Sequence, residues 1–366
     1  MRTTDIDVRV YATAVARYGV RDAEPPTPVD DEGWPLTLAT LAEEKVIGVA
    51  TAAAGAGWLP LTDGQYEDLL DRERDAMVWC LGLECRLMQI ADAFDTEGIA
   101  FLVLKGPALA HAVYADSTWR MFNDLDLLVR RSQWRAACVV LHERFGWRRR
   151  LPEPRHGFDE RFGKAAVFTT ETGQQIDLHL NLAQGPFGVW MEPEDFFDDP
   201  ATFDLGDAVL RCPNATALFV HACIHAVLGD ARPSLATLRD VVETGAGRVD
   251  HGALELLAKR WRLGSVITRS IDVAATLDAG ETRRRIGRLS VAGDGSRALS
   301  AYASRRKTRG ALTLETLRAI PTLRAKGRYV RDLAVPGRAF ASARGSGRWR
   351  TALGWLSTGA RKERVP

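Results

Sequence analysis

The sequence predicts an α/β protein of the α+β kind, with a compact core over residues 98–185 set between helical regions on both sides. Three observations carry this. Short apolar runs bounded by glycine recur in the middle third, as in "GIAFLVLKG". Segments of helical periodicity alternate with them, and long helical patterns dominate the chain before and after. At 366 residues with 46% hydrophobic and 26% charged side chains, the chain can bury a substantial core and has the composition of an ordinary globular protein.

In chain order, residues 1–33 are a short N-terminal piece closed by the Pro-rich acidic linker "EPPTPVDDEG". The run "LTLATLAEEKVIGVATAAA" reads as one helix. After the break "GAGWLPLTDG", Asp63 is the expected N-cap of a long amphipathic helix with apolar residues from Tyr66 and Leu69 to Phe94 and a stop at Gly98. These elements form a helical region over 34–97.

Within the core, "GIAFLVLKG" is a buried strand and Pro107 suits the first turn of the helix that follows. "MFNDLDLLVR" is a second strand, and a helix starts at Ser132. "WRRRL" is a short strand, and "AAVFTT" and "QQIDLHLNL" form a hairpin about Gly173. Residues 186–280 read as helical, including "NATALFVHACIHAVLG" and "SLATLRDVVETGAG". No internal repeat is present.

The net charge of +2 conceals a division. Residues 281–366 carry 21 Lys and Arg against 5 Asp and Glu, whereas the preceding 280 residues carry 28 against 42. A basic tail on an acidic body implies internal docking or an anionic partner such as RNA, phospholipid or an acidic peptide. The tail's aromatics, Tyr302, Tyr329, Phe340, Trp349 and Trp355, form no recognisable base-stacking module. Cys80, Cys85, Cys138, Cys212 and Cys223 make no Cys-x-x-Cys pair, and their odd number fits reduced thiols, so a cytoplasmic location is expected. No segment approaches about 20 uninterrupted apolar residues, so no membrane span is expected.

Chemistry concentrates in residues 105–179. Side chains at i and i+2 of a strand share a face about 7 Å apart, so Asp124 and Asp126 point the same way. Two such carboxylates repel unless a cation lies between them or one is protonated. A hard divalent ion, Mg²⁺ above all, resolves the conflict while accepting phosphate oxygens. "QIDLHL" places Asp177 on a neighbouring strand with His179 on its face. Three carboxylates on adjacent strands can hold two metal ions about 4 Å apart, as phosphoryl or nucleotidyl transfer requires. At "LKGPALA", Gly106 lets the backbone approach an anion at the helix N-terminus, Lys105 adds a point charge and Arg120 a bidentate fork. Each also has a structural reading: solvated acids, a strand-end lysine, an ion-pair arginine. His179 is open to orienting Asp177, touching substrate or packing. His221 and His225 in "HACIH" share a helix face, where packing competes with a zinc site that would need Asp240 as well.

The order "LKG", "ALAHAVY", "WRMFNDLDLLV", "IDLHL" resembles the polymerase β-type nucleotidyltransferase superfamily. More narrowly, it is similar to the bacterial nucleotidyltransferases marked by Leu-Lys-Gly, an Arg shortly before Asp-x-Asp-Leu-Leu-Val, and a later Asp-x-His. The resemblance spans roughly residues 35–245. It implies a mixed sheet flanked by helices, two Mg²⁺ and an NTP donor, with release of pyrophosphate. Asp124, Asp126 and Asp177 are then metal ligands, Asp177 also helping to deprotonate the acceptor hydroxyl, and Gly106 belongs to the phosphate loop. The superfamily's usual Gly-Ser is Gly106-Pro107 in this chain, which removes a hydroxyl and an N–H; Lys105 or Arg120 is the candidate replacement. The acceptor stays open among a small metabolite, a peptide natural product, a protein side chain and an RNA end, the resemblance tilting toward natural-product tailoring. An RNA-directed toxin-type enzyme and a protein that binds nucleotide without turnover are the alternatives.

Overall fold

The computed structural model describes residues 5–229, 232–304 and 309–343. The chain opens with α1 (Asp5–Ala16), α2 (Trp34–Glu43) and α3 (Ile47–Gly55). The single helix expected over this last stretch is divided at Lys45, which adopts φ +59°. The break turns the buried Glu44 into the protein interior, where its carboxylate accepts from Arg9 (2.7 Å), Arg232 (3.0 Å) and the Leu235 N–H (2.8 Å). No glycine or proline announces this turn; a tertiary ion pair outweighs helix propensity. The linker is strapped down as well, since Gln65 donates to the Val29 carbonyl and to Asp31.

α4 (Asp63–Thr96) is the long amphipathic helix. Its cap is Thr62 rather than the expected Asp63. Thr62 and Gln65 exchange side-chain-to-backbone hydrogen bonds of 3.3 Å, satisfying two otherwise orphaned donors. Leu69, Leu83, Leu87, Ile90 and Phe94 form its buried stripe.

The core then alternates: β1 (Phe101–Val103), α5 (Pro107–Ala112), β2 (Asp124–Val129), α6 (Trp134–Glu143), β3 (Arg148–Arg149), α7 (Phe158–Phe162), β4 (Ala165–Thr169) and β5 (Gln175–His179). The sheet order is β1-β2-β5-β4-β3, with β2 and β5 parallel and every other pair antiparallel, so the sheet is mixed. One face carries Leu125, Leu127, Val129, Ile176, Leu178 and Phe168 into a core shared with α4 and α6. The other carries Leu102, Leu104 and Leu128 into a second core built by the remaining helices. Asp124, Asp126, Asp177 and His179 fall on this second face by the two-residue period, so the acids lie on the side of the helical layer.

That layer comprises α1 to α3, α8 (Gly185–Trp190), α9 (Ala215–Leu228), α10 (Leu235–Ala246), α11 (His251–Arg260) and α12 (Gly264–Asp278). The region is not wholly helical as expected. A hairpin, β6 (Ala201–Leu205) and β7 (Ala208–Cys212), turns at Gly206 with φ +58°. Its signal was a two-residue Gly-Asp turn flanked by alternating residues in "TFDLGDAVLR".

The described part of the basic tail folds onto the body as α13 (Glu281–Ile286), α14 (Ser296–Ala303), α15 (Arg309–Ala319), α16 (Leu323–Ala334) and α17 (Arg338–Ala343). The polarity at the α16 contact is the reverse of a basic tail on an acidic body. Phe158, Ile320, Tyr329 and Leu333 form an apolar cluster, and the fully buried Asp332 of the tail lies 3.6 Å from Arg161 and 4.0 Å from Arg155 of the body. Tyr302, Tyr329 and Phe340 are buried, so these aromatics pack rather than present faces to bases. Residues 305–308 and 344–366, with Trp349 and Trp355, lie outside the described residues. Among the described residues, no helix is long and apolar enough to cross a membrane.

Candidate functional site

Asp126 of β2 stands opposite Asp177 of β5 in register, and Asp124 is two residues earlier on the same face. Lys105, just beyond β1, reaches this group: its Nζ lies 3.0 Å from Asp126 Oδ2 and 3.4 Å from Asp124 Oδ2. The repulsion between the acids on β2 is therefore answered by an ammonium. Burial opposes the charge of Lys105, but the Asp126 and Asp124 carboxylates outweigh it and raise its pKa.

His179 lies with Nε2 2.9 Å from Asp126 Oδ1 and Nδ1 3.1 Å from the Asn181 carbonyl oxygen. It thus orients Asp126, not Asp177. Asp126 is deeply buried, which disfavours its charge, yet Lys105 and His179 together hold its pKa well below the ordinary carboxylate range. Asp177 has the opposite fate: burial first, and then the charge of Asp126, push it up to about 6.

The donor set suits a hard cation. Asp126, Asp177 and His179 each offer an atom within 4.8 Å of the others. Asp177 Oδ1 is buried without a hydrogen-bond partner, and Asp126 Oδ2 faces the Lys105 ammonium without a well-directed hydrogen bond. Buried carboxylate oxygens left in this condition are costly unless a cation or proton completes them. Carboxylate oxygens favour Mg²⁺ or Mn²⁺ over softer ions.

Gly106 occupies the junction between β1 and α5 with φ +61° and ψ −113°. A side chain would be strained there, and a Cβ would come 3.3 Å from Phe122 Cγ. α5 is six residues long and begins with Pro107, which offers no N–H.

Arg120 is placed elsewhere than the sequence suggested. Its guanidinium is buried and forms a fork on Asp240, Nε to Oδ1 at 2.7 Å and Nη2 to Oδ2 at 2.8 Å, with a further donation to the Met121 carbonyl. Tyr114 adds a third bond to Asp240 at 2.8 Å. The fork is thus committed to a structural acid that ties the β2 approach to α10. This also takes Asp240 away from any zinc site with His221 and His225. Burial keeps both of those imidazoles neutral, lowering His221 to about 3 and His225 well below its ordinary value. All five cysteines are free.

Lys164 escaped notice in the sequence. Burial lowers its pKa, and the nearby Asp126, Asp177 and Asp124 only partly counter that effect. Its backbone carbonyl accepts from the N–H groups of Leu180 and Asn181, which fixes it beside the end of β5. The available signal was a lone lysine immediately before the strand that pairs with "QIDLH".

Residues 30–277 match the family model described as uncharacterised nucleotidyltransferase. No curated protein matches the chain.

Proposed function

This chain belongs to the nucleotidyltransferase family and is a transferase of phosphorus-containing groups; on that premise we propose that it moves an NMP from an NTP to a hydroxyl-type acceptor and releases pyrophosphate, on a fold of the polymerase β type. The observation that carries the reading is the facing pair Asp126 and Asp177, whose buried oxygens Oδ2 and Oδ1 lack directed hydrogen bonds on a face also holding Asp124.

Asp126 and Asp177 would hold Mg²⁺, with Asp124 beside them on the same face; the ion when bound draws electron density from phosphate oxygens and lowers the pKa of a coordinated hydroxyl. Asp177 is suited to receive the acceptor proton, because its Oδ1 is buried without a hydrogen-bond partner on the face where the acceptor would meet the metal. His179 fixes the rotamer of Asp126. Lys105 supplies positive charge where the phosphates meet the acids, and the Gly106 turn leaves room for their approach. Arg120 positions the segment entering β2 through Asp240 rather than touching phosphate. The helical layer on the acid face would shield it from bulk water and supply the acceptor pocket.

The test is incubation with NTP labelled at the α- or the γ-phosphate, in the presence of small-molecule, peptide and RNA fractions as acceptors. Retention of α-label alone on one fraction is expected and identifies the acceptor class. Transfer of γ-label would show a kinase reaction and overturn the reading.

A further inference from the structure

We propose that Lys105 takes the place of a second metal ion, so that the protein itself binds a single divalent cation at Asp126 and Asp177 while the ammonium fills the position between Asp124 and Asp126. The proposal rests on the nucleotidyl-transfer reading above and narrows the two ions expected from the sequence to one.

The geometry is specific. Lys105 Nζ is 3.0 Å from one β2 carboxylate and 3.4 Å from the other, distances at which a cation bridges the two. The lysine stands just past the end of the ladder, since the Leu104 N–H donates to the Asp126 carbonyl (2.9 Å) and extends the antiparallel β1–β2 pairing to the residue before it. Its side chain is 13% exposed, so it does not sway in solvent.

The candidate metal ligands divide accordingly. Among the described residues, the group able to converge on one ion is Asp126, Asp177 and His179, without Asp124. The buried oxygen that lacks any partner is Asp177 Oδ1, on the side of Asp126 away from β1. Charge agrees with position. Three carboxylates are balanced by one ammonium and one divalent ion, whereas a second divalent ion would leave an excess of positive charge in a buried site that also holds Lys164. In a two-ion site, one cation clamps the triphosphate against the acids. A lysine ammonium fixed at that place does so without coordination geometry, as a point charge.

Mn²⁺ binding to the nucleotide-free full chain, read by electron paramagnetic resonance and calorimetry, tests this. The wild type is expected to bind one Mn²⁺ per chain. Lys105→Met, which keeps the length and removes the charge, is expected to bind two, with the line broadening of spin-coupled ions about 4 Å apart. Asp124→Asn added to Lys105→Met should return the count to one. Two ions in the wild type, or one in a folded Lys105→Met, would overturn the proposal while leaving the transfer reading intact; Lys105→Gln repeats the measurement should the Met variant not fold. No Mn²⁺ in any variant would overturn the metal-dependent reading itself, and this proposal with it.

Discussion

Asp126 and Asp177 face each other across the parallel pair β2–β5, and their surroundings drive their protons apart. Asp126 has Lys105 and His179 against it and stays ionised, while Asp177 has a buried oxygen without a partner and a negative neighbour, and its pKa rises to about 6. Two carboxylates so arranged are poorly suited to stabilising a fold and well suited to holding a cation.

Asp177→Asn is therefore expected to stabilise the metal-free protein at pH 7. The folded-state pKa of about 6 lies above the ordinary 3.8, so the folded protein binds this proton more tightly than the unfolded chain does. The ionised group costs stability above pH 6, and the cost disappears as pH falls through 3.8. The gain at pH 7 should be about 1–3 kcal/mol by urea unfolding, with loss of Mn²⁺ binding. A destabilised Asn variant would mean that Asp177 is a structural acid.

The same proton competes with metal. Mn²⁺ affinity should fall by up to roughly tenfold per pH unit below about 6 and level off above it. Titrations between pH 5 and 8 check this, and an affinity independent of pH over that range would exclude Asp177 as a ligand.

Arg120→Met leaves Asp240 buried without its cation and should cost about 3–5 kcal/mol. Asp240→Asn keeps an acceptor for Tyr114 but leaves the buried Arg120 guanidinium without its counter-charge, so it should cost a comparable amount. Urea unfolding of both variants checks this. A near-neutral Arg120→Met would show that the pair does not hold the β2 approach.

Gly106→Ala forces a side chain into a positive-φ turn against Phe122, which should cost about 1–3 kcal/mol. On the proposed role of this turn in the phosphate loop, nucleotide binding should weaken further than the loss of stability alone explains. Thermal unfolding beside NTP titration separates the two effects.

Much of the site was legible because strand periodicity is strict. Once "DLDLLV" and "QIDLHL" are strands, Asp124, Asp126, Asp177 and His179 must share faces within each strand, and the parallel register completes the set. The partner of Arg120 was hidden for the opposite reason. That partner, Asp240, is 120 residues away, and no local pattern reveals a buried ion pair of that separation. The break at Lys45 and the docking of Asp332 beneath Arg155 and Arg161 are likewise tertiary outcomes. The hairpin at Gly206 was a turn signal overlooked inside a helix-rich region, whereas Lys164 gains its meaning from burial, which a single lysine in a sequence does not announce.

The most direct measurement is calorimetric titration of the protein with each of the four NTPs, with and without Mg²⁺, on the wild type and on Asp126→Asn/Asp177→Asn. Binding of at least one NTP that requires Mg²⁺ and disappears in the double variant is the expected result. Undiminished NTP binding by the folded double variant, or no binding of any NTP by the wild type with Mg²⁺, would contradict the assignment of these two aspartates to nucleotidyl transfer.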